Sequence, residues 1–250
     1  MKKTAFIFAA GMGTRLKPLT DNKPKALVEY HGKPMLENLL DKMVKLGYQR
    51  VIINTYHFAS MIKDFVENQY QPKFKKQPLE ILLSDESDLL RDTGGGLKHA
   101  AHFFDCNYFL AHNVDIDSDI DLNELHAKYR GELACLIVSP RPTSRYLIFD
   151  HDMRLRAWIN EKTGEVKSAF PELAKLNIQE ILNLKNSGYQ KLAFSGIHLI
   201  STEVFKLMDN YQERFSIIDF YLEQSKDHII RGISAPNNHI LDLGKISLFK

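Results

Sequence analysis

The stretch TAFIFAAGMGTRLKPLTDNKPKAL, Thr4–Leu27, opens on an apolar run and passes directly into a basic loop. Thr4–Ala9 shows no polar alternation, which predicts a strand buried on both faces. Behind it, Ala9–Leu27 carries Gly11, Gly13, Pro18, Pro24, Arg15, Lys17, Lys23 and Lys25, against the single acid Asp21. Glycines let backbone N–H groups approach closely, while arginine and lysine neutralise oxygen atoms. The loop therefore predicts a polyanion site.

Outward from this stretch, strands and helices alternate. Leu36, Leu39, Leu40, Met43 and Leu46 recur at helical spacing between Pro34 and Gly47. Val51–Asn54 reads as a second buried strand, and Phe58, Ile62, Phe65 and Val66 as a helix face. Leu79–Leu83 predicts a third strand, Gly94–Ala101 the opening of a helix, and Tyr108–Ala111 a fourth strand. This alternation predicts an α/β fold: a Rossmann-like, mostly parallel mixed sheet flanked by helices, with its ligand beyond the carboxyl ends of the strands. Later strand patterns at Ala134–Val138, Tyr146–Phe149, Leu155–Ile159 and Leu192–Ile200 predict antiparallel strands added over the cleft. Short helical patterns fall near Val204–Met208 and Ile217–Gln224, and Phe170–Gly188 is polar and weakly patterned, an excursion from the core.

Composition narrows the function classes. The 250 residues are 44% hydrophobic, enough for a full core in a single domain. With 33 basic and 31 acidic residues, no global field favours nucleic acid or a membrane. Cys106 and Cys135 form no CxxC motif, and the short first apolar run is not a signal peptide, so a cytoplasmic protein with reduced thiols is expected. No apolar stretch approaches the roughly 20 residues that span a bilayer. The ten histidines show no metal-ligand spacing.

Phosphate motifs can be compared directly. A Walker loop, GxxxxGK[ST], is absent. A dinucleotide turn, GxGxxG, is broken at Leu16, and Pro18 and Pro24 forbid the helix that should follow, which counts against an NAD-dependent oxidoreductase. The longer pattern resembles the signature of sugar-1-phosphate nucleotidylyltransferases. It comprises Gly11-x-Gly13-Thr14-Arg15-Leu16-x-Pro18-Leu19-Thr20, then Pro24-Lys25, then Gly32-Lys33-Pro34-Met35-Leu36. The stretches DTGGGL (Asp92–Leu97) and FSGI (Phe194–Ile197) look most like the N-acetylmuramate-1-phosphate uridylyltransferase branch, with guanylyltransferases for mannose or heptose 1-phosphate close by.

The resemblance implies a reaction and a set of roles. A nucleoside triphosphate, UTP first and GTP next, is joined to a sugar 1-phosphate with release of pyrophosphate and with Mg²⁺ as cofactor, for a cell wall or polysaccharide precursor. Residues 1–125 would form the nucleotide-binding half and 126–250 the sugar-binding half of one domain, a monomer or homodimer without an appended domain. Ala10, Gly11, Gly13, Thr14, Thr93 and Gly94 would hold the nucleotide. Arg15 would bind the departing pyrophosphate, and Lys25 would bridge the α-phosphate and the sugar phosphate. Asn113, Glu161, Lys162, Ser195 and Gly196 would line the sugar pocket.

Such a reaction needs no side-chain base, because a phosphate monoester with a second pKa of about 6 is already ionised near neutrality. It does need carboxylates for Mg²⁺. His112-Asn113-Val114-Asp115-Ile116-Asp117-Ser118-Asp119-Ile120-Asp121 supplies four aspartates, but Ile120 and His126 break the calcium-loop pattern. Either Asp119 or Asp121 is expected to cap the helix that starts near Leu122. Asp115 matches the family's metal aspartate and Asp242 its second. Val114 replaces the usual glycine and Lys245 the usual threonine, which leaves Asp117 as an alternative ligand and a catalytically weak nucleotide-sugar sensor as the rival function.

Overall fold

The computed structural model describes residues 1–74, 79–183 and 188–249. β1 (Thr4–Phe8) leads through the basic loop and a small hairpin, β2 (Glu29–Tyr30) with β3 (Lys33–Pro34), into α1 (Met35–Lys45) and β4 (Arg50–Thr55). α2 (Ala59–Asp64) and a π-helical turn at Phe65–Tyr70 precede β5 (Glu80–Asp85), and α3 (Asp92–His99) precedes β6 (Tyr108–Asn113). These four long strands run parallel in the order β5-β4-β1-β6, with Ile7 level with Ile53 and His112.

Both faces of this layer are covered, which is why its strands carry no polar alternation. Ala5 and Ile7 pack on one side with Leu36, Leu40 and Met43 of α1. Phe6 and Ile52 pack on the other with Leu97 of α3 and with Phe220. Each fully buried leucine or methionine contributes roughly 1.5–3 kcal/mol.

β7 (Ile116–Ser118) and α4 (Leu122–Lys128) follow. Asp121 caps α4, its carboxylate accepting the amides of Asn123 and Glu124. Asp119 instead accepts the amide of His239. The chain continues through β8 (Ala134–Ser139), β9 (Arg145–Phe149), β10 (Leu155–Asn160), β11 (Glu165–Lys167), α5 (Pro171–Ala174) and α6 (Ile178–Asn183). It ends with β12 (Gln190–Ser201), α7 (Glu203–Met208), α8 (Ile217–Gln224), β13 (Ile230–Ser234) and β14 (Ile240–Asp242).

β12 belongs to two sheets. Its residues from Ile197 to Ser201 pair antiparallel with β6, while Gln190, Lys191 and Leu192 pair with β9. The register with β8 shifts between Phe194 and His198, and Gly196, with a φ of 73°, supplies the left-handed residue at that bend. Beyond β12 the main layer continues to β8 and β13, both pointing the same way as β6. The other branch, β9-β10-β11, is antiparallel and closes its own small core of Ile148, Ala157, Ile159 and Leu173. The two halves of the sequence meet in two sheets: β12 lies beside β6 in the large one, and β14 pairs with β7 in a separate two-stranded one.

The short strands β2, β3, β7, β11, β13 and β14 have no counterpart in the sequence reading. Except for β13, these segments have two or three residues, too brief to display a period. The excursion expected over Phe170–Gly188 holds α5 and α6, and its residues 184–187 lie outside the described residues. Cys106 and Cys135 are free thiols, and no described helix is long and apolar enough to cross a membrane.

Candidate active site

A cavity of about 370 Å³ opens beyond the carboxyl ends of β1, β4 and β6, walled by Phe8, Asn54 and Asn113. A broader cleft of about 1230 Å³ lies along β9 and β10, and Arg15 lines both spaces.

The basic loop is anchored rather than loose. Gly13 turns with a φ of 64°, and its carbonyl accepts the Leu16 amide and the Thr20 hydroxyl, each at 2.9 Å. Leu16 and Ala26 are fully buried beneath it. Ala10 and Gly11 line the cavity. Gly13 and Thr14 do not: a Cβ on Gly13 would come within 2.8 Å of the Thr20 methyl, and Thr14 is exposed. These two residues shape the loop and leave the lining to their neighbours.

Four charged side chains meet at the cavity mouth. The Lys25 ammonium bonds the Asp115 carboxylate, both side chains being largely buried. Arg15 reaches Asp115 at 4.0 Å and Asp242 at 3.6 Å. The two aspartates converge because β14 pairs with β7, setting Asp242 opposite Ile116, while the Leu243 amide donates to the Asp115 carbonyl at 2.8 Å. Gly244 closes the floor: a Cβ there would lie 2.6 Å from the Arg15 guanidinium, 2.8 Å from Asp242 and 3.0 Å from Asp115. Val114, buried, donates its amide to the Phe8 carbonyl and keeps this register. Asp117 is exposed in β7, opposite Leu241, and lines a separate hollow with Lys42. It stands apart from the charged cluster.

A buried polar chain fixes the cavity wall. The Asn54 amide oxygen accepts the Ala9 N–H at 2.8 Å, and its nitrogen donates to Glu86 at 2.7 Å. The second Glu86 oxygen accepts the Arg91 amide at 3.3 Å. Burial raises the Glu86 carboxyl above the ordinary range. Glu86 is thus committed to the scaffold, and its carboxylate positions the segment leading into α3.

The start of α3 departs from the expected arrangement. Thr93 lines the cavity, but its hydroxyl accepts the Ile217 amide at 3.0 Å. Gly94 is buried, its N–H donating to the Phe215 carbonyl at 2.9 Å, and a Cβ there would strike the Phe215 ring at 2.3 Å. The glycines of DTGGGL admit the 213–215 segment and Glu86 against the helix, so the Gly94 amide is not presented to the cavity as expected.

On the opposite wall, Asn113 ends β6 and lines the cavity, and Gly196 fits against it, a Cβ there falling 2.7 Å from the Asn113 amide nitrogen. Ser195 is buried rather than lining the cleft, with its hydroxyl unpartnered. Glu161 and Lys162 occupy the β10–β11 turn and separate there. Lys162 lines the broad cleft, while Glu161 is held by Lys191 at 2.6 Å. Sequence reasoning missed Asn54, Lys191, Arg141 and the cavity-lining Arg214. Only their proximity in space marks them; no spacing in the chain does.

Among the described residues, no group of three or more His, Cys, Asp or Glu side chains converges as a protein-only metal cage. The Asp115–Asp242 pair fits Mg²⁺, which takes one or two carboxylates and completes its shell with water and substrate phosphate. The glycine floor at Gly244, which a methyl group would fill, leaves space between these oxygens.

The chain is similar to the N-acetylmuramate alpha-1-phosphate uridylyltransferase of Caulobacter vibrioides, 34% identical over 97% of this chain and 92% of that protein. The mannose-1-phosphate guanyltransferase of Gibberella zeae is 26% identical over 89% of this chain, which spans 61% of that longer protein. In fold, HddC from Yersinia pseudotuberculosis, solved with GMP-PN, superposes with a TM-score of 0.71 at 19% identity, covering 100% of this chain and 96% of that one. A UDP-glucose pyrophosphorylase solved with UDP-glucose gives a TM-score of 0.73 at 15% identity, with the same coverage. The nucleotidyl transferase family profile matches residues 4–233, and the chain belongs to that family, within its sugar-1-phosphate branch.

Proposed function

We propose that the protein transfers a nucleotidyl group from a nucleoside triphosphate, UTP ahead of GTP, to a sugar 1-phosphate and releases pyrophosphate. The observation that carries this reading is the convergence of Arg15, Lys25, Asp115 and Asp242 over Gly244, beyond the carboxyl end of β1. A uridylyltransferase relative matched over nearly the whole chain supports UTP, and makes N-acetylmuramate 1-phosphate the first sugar to test.

The chemistry asks for position and charge. An oxygen of the sugar phosphate attacks the α-phosphorus, a new P–O bond forms, and the bond from that phosphorus to the bridging oxygen breaks as pyrophosphate leaves. The attacking oxygen is already ionised, so the work of the protein is to align the two phosphates and neutralise their crowded charge. Lys25 serves both phosphates from the floor, and Arg15, exposed at the mouth, follows the leaving pyrophosphate. Ala10 and Gly11 bring the backbone against the nucleotide; Asn113 and Lys162 face the sugar side. Asp115 and Asp242 would hold Mg²⁺, which when bound neutralises phosphate oxygens.

The test is pyrophosphate release across four NTPs and a panel of sugar 1-phosphates with Mg²⁺. Release with UTP and one sugar above the others is expected. Silence across the whole panel, with tight NDP-sugar binding, would replace this reading with a sensor.

A further inference from the structure

Arg141 lies between β8 and β9 and lines the broad cleft, but not the narrower cavity where Lys25 and Asp115 meet. One guanidinium nitrogen donates to the Phe194 carbonyl at 2.9 Å, at the point where β12 passes from one sheet to the other. The side chain is half-buried and meets no carboxylate among the described residues. Two other cations of the cleft are already paired, Lys167 with Asp219 at 2.9 Å and Arg15 with Asp242 at 3.6 Å, whereas Lys162 and Lys245 line it with neither a carboxylate nor a main-chain anchor among the described residues.

A guanidinium presents five N–H donors in a rigid fork, and the Phe194 carbonyl occupies one of its nitrogens. The remaining donors of Arg141 are restrained by that anchor, beside the Ser195–Gly196 bend. Arg145 is exposed and lacks such an anchor, so it is less ordered for recognition. The phosphates have Arg15 and Lys25. Arg141 is a further, pre-oriented cation on the sugar wall, and its geometry matches a planar anion.

We propose that Arg141 reads a carboxylate carried by the sugar, making it a specificity-determining residue for acidic sugar 1-phosphates over their neutral counterparts. This inference rests on the nucleotidyltransferase reading of the same cleft. The carboxylate can sit on an ether substituent or at the sixth carbon of the ring, and the test separates the two.

The experiment measures kcat/KM for two matched pairs with UTP and Mg²⁺: N-acetylmuramate 1-phosphate against N-acetylglucosamine 1-phosphate, and glucuronate 1-phosphate against glucose 1-phosphate. Wild type is expected to favour the acidic member of one pair by roughly tenfold or more, as a charge-assisted hydrogen bond allows. Arg141→Gln should erase most of that ratio, and Arg141→Lys should keep part of it. Calorimetric binding of the corresponding acidic and neutral NDP-sugars provides a readout without turnover. If turnover fails but the acidic NDP-sugar still binds more tightly in an Arg141-dependent way, the transferase reading falls and the carboxylate subsite stands. Equal use of both members in each pair, or an Arg141→Gln variant that keeps the wild-type ratio, overturns the proposal.

Discussion

The main-chain amide of Leu243 donates to the carbonyl of Asp115 at 2.8 Å, tying the end of the last strand to the turn between β6 and β7. This bond extends the antiparallel pairing of β14 with β7, and that pairing carries the Asp242 side chain to Arg15 and to the mouth of the cavity. The site is therefore assembled from both ends of the chain.

The two aspartates should respond differently to removal of charge. Asp242→Asn is expected to lower turnover by roughly 100-fold or more with little change in melting temperature, since a carboxamide is a poor Mg²⁺ ligand and this side chain is partly exposed. Asp115→Asn should cost similar activity and also about 1–3 kcal/mol of stability, because it strips the charged partner from a largely buried Lys25. Steady-state kinetics and urea unfolding on both variants check this. An Asp115→Asn enzyme with wild-type turnover would return Asp117 to consideration.

Gly244→Ala tests the floor between the carboxylates. Its backbone lies outside the left-handed region, so alanine brings no backbone strain, but the methyl group would press on Arg15, Asp242 and Asp115 at once. Reduced turnover and weaker Mg²⁺ dependence are expected with a melting temperature close to wild type. Unaltered kinetics at all metal concentrations would show that these three groups move apart freely.

Asn54→Ala should damage the scaffold before the chemistry. It orphans the Ala9 amide and one oxygen of the fully buried Glu86, at a cost of roughly 2–4 kcal/mol for the pair of lost bonds. Chemical denaturation measures it. A variant as stable as wild type would mean that water replaces both bonds.

Acid should weaken the fold through its buried histidines. Burial lowers His112 and His198 from 6.5 to about 3, and His126 to about 4. Because their folded values lie below the unfolded one, the unfolded chain takes up protons that the native state refuses as pH falls from 6.5 toward 3. Stability from these groups is complete above pH 6.5 and is lost through that window, with a limiting slope of about 1.4 kcal/mol per pH unit for each histidine. His112→Gln should flatten the profile by up to one proton, read by unfolding at pH 7, 5.5 and 4. A profile as steep as wild type would remove His112 from the titration.

The long elements were legible because their patterns are local. α1 shows in the spacing of Leu36, Leu40 and Met43, and β1, β4 and β6 show in unbroken apolar runs that only a strand covered on both faces can carry. The second residue of each functional pair was harder to read. Glu161 matches a sugar-binding position by its neighbours in sequence, yet the fold brings Lys191 to it. DTGGGL looks like a nucleotide turn, yet its glycines are filled from behind by residues 213–215 and Glu86.

By itself the sequence determined the class of sheet, the basic, glycine-turned character of the Ala9–Leu27 loop and the residue types of the charged cluster, since apolar periodicity, turn glycines and local charge are encoded within a few residues. Only the tertiary structure decided that Asp115 and not Asp117 joins Asp242, that Gly13 serves the turn and Gly94 the packing, and that Arg141 lines the cleft with no carboxylate partner among the described residues. Those outcomes depend on strand register and on side chains brought together from distant segments, and a one-residue change of register turns a side chain to the opposite face.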